Sequence, residues 1–345
     1  MEAGAHPAAE APLVAARRLP PLVSGVALAV SLAVVATLIG RRVPVVGPAV
    51  VAIVLGVVVR AVFDPGAWAA PGISFSSKKL LQAAIVLLGT GLSLGTVVSV
   101  GVGSLPVMLV TIAAALGGGR VIGRALGIEA PLRTMLAVGT GICGASAIAA
   151  VASVVEVEAV DVAYAISTIF VFNVTAVLAF PPIGHALGLG THAFGLWAGT
   201  AVNDTSSVVA AGYAYSHAAG DYAVVVKLTR TLLIIPIVLA LAALERRRTG
   251  DVADTRRRRA TVPLFLVGFV LAAGANSLGL FGATARHDFS TVALFFVAVA
   301  LAAVGLSAQP ARIRAAGVRP LLLGGALWIA VASTSLAVQA LTGVL

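Results

Sequence analysis

Charged residues are scarce in this chain, since Asp, Glu, Lys and Arg make up 10% of its 345 residues while 60% are apolar. A soluble domain carries about 25% charged residues, so the composition excludes a soluble enzyme. The single cysteine, Cys143, excludes an internal disulfide and a cysteine metal cluster. No Gly-x-x-x-x-Gly-Lys-Ser/Thr motif is present, which argues against ATP-driven pumping by this chain alone.

Acidic residues are outnumbered by basic ones, 13 to 23, which gives a formal charge of +10. The basic residues lie in predicted loops, not on one face with interleaved aromatic residues, so we expect no nucleic-acid partner. His185, His192 and His217 are scattered without the spacing of metal ligands. We therefore expect no metal, no cofactor and no enzymatic activity.

The apolar residues form continuous stretches of about 20, the length that an α-helix needs to cross about 30 Å of hydrocarbon. Strands of a β-barrel would give short alternating segments instead. We predict an all-α, polytopic membrane protein of about 11 transmembrane helices. The predicted spans lie near 21–39, 44–63, 79–98, 103–119, 136–153, 160–180, 193–212, 222–244, 262–280, 288–307 and 320–342.

Hydrophilic segments divide these spans into two groups. We predict a cytoplasmic tail over 1–20, helices 1–8 over 21–244, a basic cytoplasmic linker over 245–261 and helices 9–11 over 262–345. The first apolar run is expected to be retained, because no convincing cleavage site of small residues follows it. The linker is expected to anchor the topology and to contact anionic lipid headgroups.

The basic residues also predict the orientation. With a cytoplasmic N-terminus, 17 of the 23 basic residues lie inside, as the positive-inside rule expects. The charged residues predicted to lie outside are Arg41, Arg42, Glu156, Glu158, Asp161 and Arg286.

Internal repeats are visible when the chain is shifted against itself. At a shift of 60 residues, Gly139-Thr140 falls on Gly199-Thr200, and Ser146 falls on Ser206. A second similarity joins Gly91-Leu92-Ser93 to Gly305-Leu306-Ser307. Inverted repeats that enclose a site near the bilayer midplane are typical of secondary transporters. Whether the two segments of the first repeat cross the membrane fully or re-enter it stays open at this point.

The first candidate segment, residues 139–148, has three glycines and three small polar side chains within an apolar span. Each glycine weakens a helix by up to about 1 kcal/mol relative to alanine, so we predict a broken helix. Small-residue packing against a neighbouring helix is the alternative. Its candidate site residues are Thr140, Cys143 and Ser146.

The second segment, residues 199–212, contains five consecutive polar residues in a span. A carboxylate at that depth costs several kcal/mol if it is unpaired and usually faces the interior of the bundle. A purely structural carboxylate that fixes helix packing is the alternative. The candidate site residues are Asn203, Asp204, Thr205, Ser206 and Ser207.

Two cations, Lys227 and Arg230, lie three residues apart on one helix face inside a later span. If Asp204 pairs with one of them, the other is left to attract an anionic ligand, and Arg offers a planar fork suited to an oxyanion. In the alternative, one cation pairs with Asp204 while the other snorkels outward.

The strings Gly139-Thr140-Gly141-Ile142-Cys143-Gly144-Ala145-Ser146, Asn203-Asp204-Thr205-Ser206-Ser207 and Lys227-Leu228-Thr229-Arg230 resemble those of the YeiH-type family of bacterial sulfate exporters. The likeness runs from about Leu80 to the C-terminus. It implies an inner-membrane secondary carrier with inverted repeats and two broken helices at the centre. The family commonly has His-Asp followed by Thr-Ser-Gln in the second segment, so a proton-coupling role of that histidine does not carry over.

These observations together predict a carrier that exports a small anion, with both segments at a midplane site. The expected partners are an anionic solute, membrane lipids, a coupling proton or cation, and a second copy of the chain in a homodimer. Two alternatives stay open: a cation/proton antiporter that uses Asp204, and a membrane scaffold or sensor without flux.

Overall fold

The computed structural model describes residues 20–42, 47–152, 155, 157–234, 236, 237, 240, 241, 264–308 and 317–344. The predicted tail, apart from Pro20, and the whole linker 245–261 lie outside these residues. The predictions made for the linker and for most of the basic residues counted as cytoplasmic are therefore not addressed by the structure.

The described residues are helical and contain no β-strand, in agreement with the all-α prediction. Their helices are α1 (Pro21–Arg42), α2 (Gly47–Val62), α3 (Gly66–Phe75), a π-helical turn (Ser76–Leu80), α4 (Leu81–Gly89), α5 (Leu94–Ala125), α6 (Ala130–Gly141), α7 (Ala145–Val151), α8 (Ala159–Ala186), α9 (Thr191–Ala201), α10 (Thr205–Tyr215), α11 (His217–Leu232), α12 (Leu264–Ser277), α13 (Ala283–Leu306) and α14 (Val318–Thr342).

Five of these helices are long and apolar enough to cross a membrane: α1, α5, α8, α13 and α14. Their mean hydropathy over 18 residues lies between 2.0 and 2.5. Large apolar side chains such as Val102, Leu109 and Ile329 are more than half exposed on them. Apolar surface of this extent is stable in hydrocarbon and not in water, so the fold is that of a polytopic membrane protein.

The helical segment that begins at Gly66 is longer than the hydropathy predicts. The sequence predicts a loop from about 64 to 78, but α3, the π-helical turn and α4 form one continuous helical segment from Gly66 to Gly89. The polar run at residues 76–79 lowers the local hydropathy without ending the helix. The backbone stays hydrogen-bonded where this π-helical turn ends, since the N–H of Leu81 donates to the carbonyl of Lys78.

The helices α9 and α10 form a hairpin, which we call the second hairpin. The rings of Phe194 in α9 and Tyr215 in α10 stack with centroids 3.8 Å apart, and the Tyr215 hydroxyl donates to the carbonyl of Leu189. In a straight helix these two aromatic residues would lie about 30 Å apart. The chain therefore reverses between them, so residues 193–212 form a hairpin and not one continuous helix, which answers the question that the sequence left open.

The helices α6 and α7 form a first hairpin in the same way. A Cβ placed on Gly139 in α6 would lie 2.9 Å from Cγ1 of Ile148 in α7. Nine residues of straight helix span about 13 Å, so α7 folds back along α6. The predicted span over 136–153 is thus also a hairpin, and the chain reverses direction in both candidate segments.

This reversal changes the predicted placement of Asp161. Asp161 at the start of α8 lies near enough to Glu129, directly before α6, for the two carboxylates to interact electrostatically. The start of the first hairpin and the start of α8 therefore lie at the same end of the molecule. The prediction that Asp161 and Arg133 lie on opposite sides is wrong, because it assumed that residues 136–153 cross the bilayer.

The two hairpins are equivalent at a shift of 60 residues. Helix α6 ends at Gly141 and α9 ends at Ala201; α7 begins at Ala145 and α10 begins at Thr205. The sequence repeat therefore marks two copies of one structural unit. Each unit consists of a hairpin and the helix that follows it, α8 in the first and α11 in the second.

The remaining helices pack beside these units through small residues. A Cβ added to Gly56 in α2 would lie 2.9 Å from the Cα of Gly305 in α13. This contact is close enough that no larger side chain fits without displacing a backbone. It fixes α2 against α13, and both helices contribute to the wall of the central cavity described below.

Candidate functional site

The tips of the two hairpins meet. Gly144 in the first tip has a φ of +67°, and a Cβ placed there would lie 3.7 Å from the carbonyl oxygen of Asn203 in the second tip. Glycine adopts this backbone region without steric cost, whereas other residues are strained in it. The glycine therefore permits the sharp turn, and the 3.7 Å distance shows that the two tips are in van der Waals range of each other.

Lys227 in α11 joins the two tips. Its Nζ donates to the carbonyl of Ile142 at 2.8 Å and to that of Val202 at 2.9 Å. The side chain has no exposed surface. One ammonium group thus satisfies a carbonyl oxygen in each hairpin, at positions that are 60 residues apart in the sequence.

Arg230 repeats this arrangement one helical turn further along α11. Its guanidinium donates to the carbonyl of Thr200 and, at 3.4 Å, to that of Thr140. These positions are also 60 residues apart. The Nε of Arg230 is buried without a hydrogen-bond partner.

The carbonyls that these cations contact lie at the C-terminal ends of α6 and α9, where a helix carries a negative partial charge of about half an elementary charge. Within the described ranges, no Asp or Glu oxygen lies within 4.0 Å of either cation. The expected ion pair with Asp204 is not formed. Helix ends hold the two cations instead of a carboxylate.

Asp204 has a different position, as the N-cap of α10. Its carboxylate accepts hydrogen bonds from the backbone N–H of Ser206, at 3.1 Å, and from the hydroxyl of Ser206. Its own backbone N–H and that of Asn203 donate to the side-chain oxygen of Asn173 in α8, at 3.2 and 3.1 Å. The second tip is therefore fixed by α8 on one side and by α11 on the other.

A cavity of about 760 Å³ lies beside the tips. Asp204, Ser206 and Ser207 line it from the second hairpin, and Asn173 lines it from α8. The opposite wall is formed by the α3 segment with its π-helical turn and by the ends of α2 and α13. The polar or charged residues of that wall are Arg60, Asp64, Ser74, Ser77, Lys78 and Ser307.

The cavity reaches the molecular surface at one end. There Arg60 forms an ion pair with Asp64, whose side chain is 70% exposed. The Nε of Arg60 also donates to the carbonyl of Ala308 at 3.1 Å, which ties α2 to the end of α13. Arg60 lies near the end of α2, where the sequence alone suggests only a side chain that extends to the membrane surface. In the structure it lines the mouth of the cavity.

The structure brings the predicted residues to one region but not to one surface. Asp204, Ser206 and Ser207 line the cavity, whereas Lys227 and Arg230 lie behind the tips. The other predicted residues are Thr140, Cys143 and Asn203, which are buried, Thr205, which is half-buried, and Ser146, which is exposed away from the cavity wall.

Two residues of the site were not predicted. Asn173 was treated as one of several polar residues in spans, because the sequence does not show that its side chain meets the N-cap of α10. Lys78 was assigned to a loop. The sequence did contain a signal for it: Lys78 has apolar residues on both sides, and together these stretches are long enough for one membrane-spanning helix.

The charge distribution around the cavity is uneven. On its wall the charges of Arg60 and Lys78 balance those of Asp64 and Asp204. Behind the tips lie the basic side chains of Lys227 and Arg230, and no Asp or Glu within the described part of the chain forms an ion pair with either of them. Basic residues therefore outnumber acidic ones in this region.

Comparison with known proteins places the chain in a family. The family described as conserved hypothetical protein 698 matches residues 24–324, and the chain belongs to it. A protein of Streptococcus pyogenes serotype M18 named as a UPF0324 membrane protein is 40% identical over 337 residues, which cover 95% of this chain and 98% of the relative. A UPF0324 membrane protein of Clostridium tetani is 36% identical over 334 residues, which cover 92% and 97%. The YeiH-type resemblance of the sequence is confirmed.

Proposed function

We propose that this member of the family is a secondary transporter that exports a small anion, such as sulfate, another sulfur oxyanion or a sulfonate, across the cytoplasmic membrane. The observation that carries the proposal is the meeting of two helix breaks beside a cavity of about 760 Å³, with two buried basic residues behind them that form no ion pair with a described carboxylate. Such a site suits a carrier.

The topology that we infer is an inverted repeat. Since α8 crosses the bilayer between the two hairpins, the first hairpin enters from one side and the second from the other. The eleven apolar segments then comprise nine crossing helices and two re-entrant hairpins. Related carriers place the substrate where such half-helices meet, near the midplane.

The inferred orientation bears on the direction of transport. With the N-terminus in the cytoplasm, as the distribution of Arg residues favours, α2 ends at the cytoplasmic side. The mouth of the cavity at Arg60 and Asp64 then opens towards the cytoplasm. A carrier in this state is ready to bind a solute from inside the cell, which agrees with export.

Electrostatics favour an anion as the solute. The buried cations behind the tips raise the potential in the cavity, and their effect is screened little at this depth. The N-terminus of α10 also points its positive end to the cavity at Ser206 and Ser207. The hydroxyl groups of the wall then supply directional hydrogen bonds to anion oxygens.

Asp204 is proposed to carry the coupling proton. Its carboxylate lines the cavity, where its charge opposes binding of an anion. Protonation removes that charge, so anion binding and proton binding at Asp204 favour each other. Within the described ranges, no Lys or Arg holds this carboxylate in an ion pair.

The test uses purified protein in liposomes. Uptake of labelled sulfate, sulfite and methanesulfonate is measured with and without a pH gradient, and protein-free liposomes are the control. We expect saturable flux that depends on the gradient, and a loss of that dependence in Asp204→Asn. The absence of flux for every anion would overturn the proposal and favour a scaffold or sensor.

A cation/proton antiporter is the second candidate, because a carboxylate without a basic partner lines the cavity. In that case Asp204 binds Na⁺ or K⁺ in exchange for protons. A pH-sensitive dye inside the liposomes separates the candidates. Proton movement driven by Na⁺ or K⁺ and lost in Asp204→Asn, with no flux of the anions, would establish the antiporter.

A further inference from the structure

We infer that Lys78, on the π-helical turn, is the residue that contacts the substrate anion directly and determines the preference for an oxyanion. The inference rests on the proposed function. It changes the assignment made from the sequence, in which Lys227 and Arg230 attract the anion. Those two cations hold the hairpin tips, and the binding contact falls to a residue on the opposite wall.

The position of Lys78 on its helix supports this role. Ser74, Ser77 and Lys78 line the cavity together, with spacings of three and four residues that place them on one helical face. The facing wall presents Ser206 and Ser207 at the start of α10. A solute in the cavity therefore has an ammonium group on one side and hydroxyl groups on both.

The state of Lys78 differs from that of the other cations at the site. Arg60 pairs with Asp64, and the guanidinium of Arg230 and the ammonium of Lys227 donate to carbonyls. The side chain of Lys78 has no hydrogen bond or ion pair within the described part of the chain, and this exposed residue lines the cavity. Its three N–H donors are thus available to a ligand.

The depth of Lys78 is also that expected of a binding residue. It lies 12 residues after Gly66, the first residue of α3 at the mouth of the cavity. At 1.5 Å per residue this is about 18 Å along the helix, close to the middle of a bilayer about 30 Å thick. A charged side chain at that depth is costly and marks a substrate pathway by default.

The π-helical turn provides an independent reason to expect function here. Turns of this type are rare and occur frequently at functional sites. This one spans Ser76–Leu80, so that Lys78 is its central residue. The hydroxyl of Ser76 within it is fully buried and has no partner. Local stability is thus reduced on the helix that presents Lys78.

The ligand that fits these groups is a small oxyanion with several acceptor oxygens. An ammonium group with three donors is a compact, strongly hydrated charge that suits a sulfate or sulfonate oxygen. The neighbouring hydroxyls of Ser74 and Ser77 suit further oxygens of the same ion.

The experiment compares Lys78→Gln with Lys79→Gln. Lys79 is the matched control because it is also an exposed lysine of the π-helical turn but does not line the cavity. Labelled-sulfate flux in liposomes gives KM and the maximal rate, and thermal unfolding in detergent with increasing sulfate gives binding without transport. Lys78→Arg and Lys78→Met serve as second variants.

We expect Lys78→Gln and Lys78→Met to raise the KM for sulfate by at least about tenfold, the loss expected for one charge-assisted hydrogen bond. Their stabilisation by sulfate should disappear, while Lys78→Arg and Lys79→Gln keep both properties. Equal KM values for the Lys78 variants and wild type would overturn the inference and leave the proposed function intact. No flux and no stabilisation of the wild type by any oxyanion would overturn the proposed function itself.

Discussion

The contact between the hairpin tips gives a sharp prediction for Gly144→Ala. Gly144 has φ +67° and ψ −129°, a region in which a residue with a Cβ is strained by about 1–3 kcal/mol. The new methyl group would also lie 3.3 Å from Cγ2 of Ile169 and 3.7 Å from the carbonyl oxygen of Asn203. The contact with Asn203 is an ordinary one, whereas the backbone at Gly144 and the side chain of Ile169 must adjust. We therefore expect a lower free energy of unfolding and a displaced first tip, with reduced sulfate flux.

Gly188→Ala is the matched control. Gly188 has a φ of +64°, but a Cβ there would have no atom within 4 Å. It should therefore show the cost of a left-handed residue, about 1–2 kcal/mol, without disturbing the site. Thermal unfolding in detergent and flux in liposomes are measured for both variants. Equal losses of stability together with normal flux in Gly144→Ala would refute the reasoning.

Three further predictions concern the groups that hold the site. Arg230→Lys should lower the free energy of unfolding by about 1–3 kcal/mol, because a lysine lacks the planar fork that reaches the carbonyls of both Thr140 and Thr200; an unchanged melting temperature would contradict this. Asn173→Leu removes the acceptor of two backbone N–H groups and should cost about 1–3 kcal/mol for each, whereas Thr175→Val, an exposed change on the same helix, should be nearly neutral in the same unfolding assay. The backbone N–H of Gly66, with a further contribution from Arg60, lowers the pKa of Asp64 below its ordinary value of 3.8. The ionised carboxylate therefore stabilises the fold above pH 3.8, and this stabilisation is lost as the pH falls through the pKa of the folded protein. The unfolding free energies of wild type and Asp64→Asn should accordingly converge only below pH 3.8.

The sequence predicted the helix breaks well. The glycines of residues 139–144 and the polar run at 203–207 mark the positions at which α6 and α9 end. The shift of 60 residues between them was also visible, because the tips share small and polar residues that the geometry requires. A helix break depends on the residues at the break itself, so the local composition is enough to predict it.

The reversal of direction at each tip could not be predicted. Hydropathy reports the length of an apolar segment, and a hairpin of two half-helices has the same length and composition as one crossing helix. Three residues, Ile142–Gly144, make the turn in the first hairpin. Only the contact of Gly139 with Ile148 across the turn distinguishes the two structures.

The partners of the buried cations were wrong for a related reason. Pairing Lys227 or Arg230 with Asp204 followed from the charges alone, because Asp204 is an acidic residue inside a predicted span. The negative ends of α6 and α9 are not visible as residues, since they are backbone carbonyls gathered by the fold. Asp204 was then available for the start of α10.

The two buried cations occur in one repeat only. At the positions of α8 that correspond to Lys227 and Arg230, the chain has Ser167 and Phe170. The second hairpin is hydrogen-bonded to Asn173 of α8 as well as to the two cations of α11, whereas the first hairpin makes no hydrogen bond to Asn173. A carrier with interchangeable halves would favour neither face of the membrane at rest. Under the proposed function, this unequal tethering gives the empty protein a preferred resting orientation, and the cargo must supply the free energy to leave it.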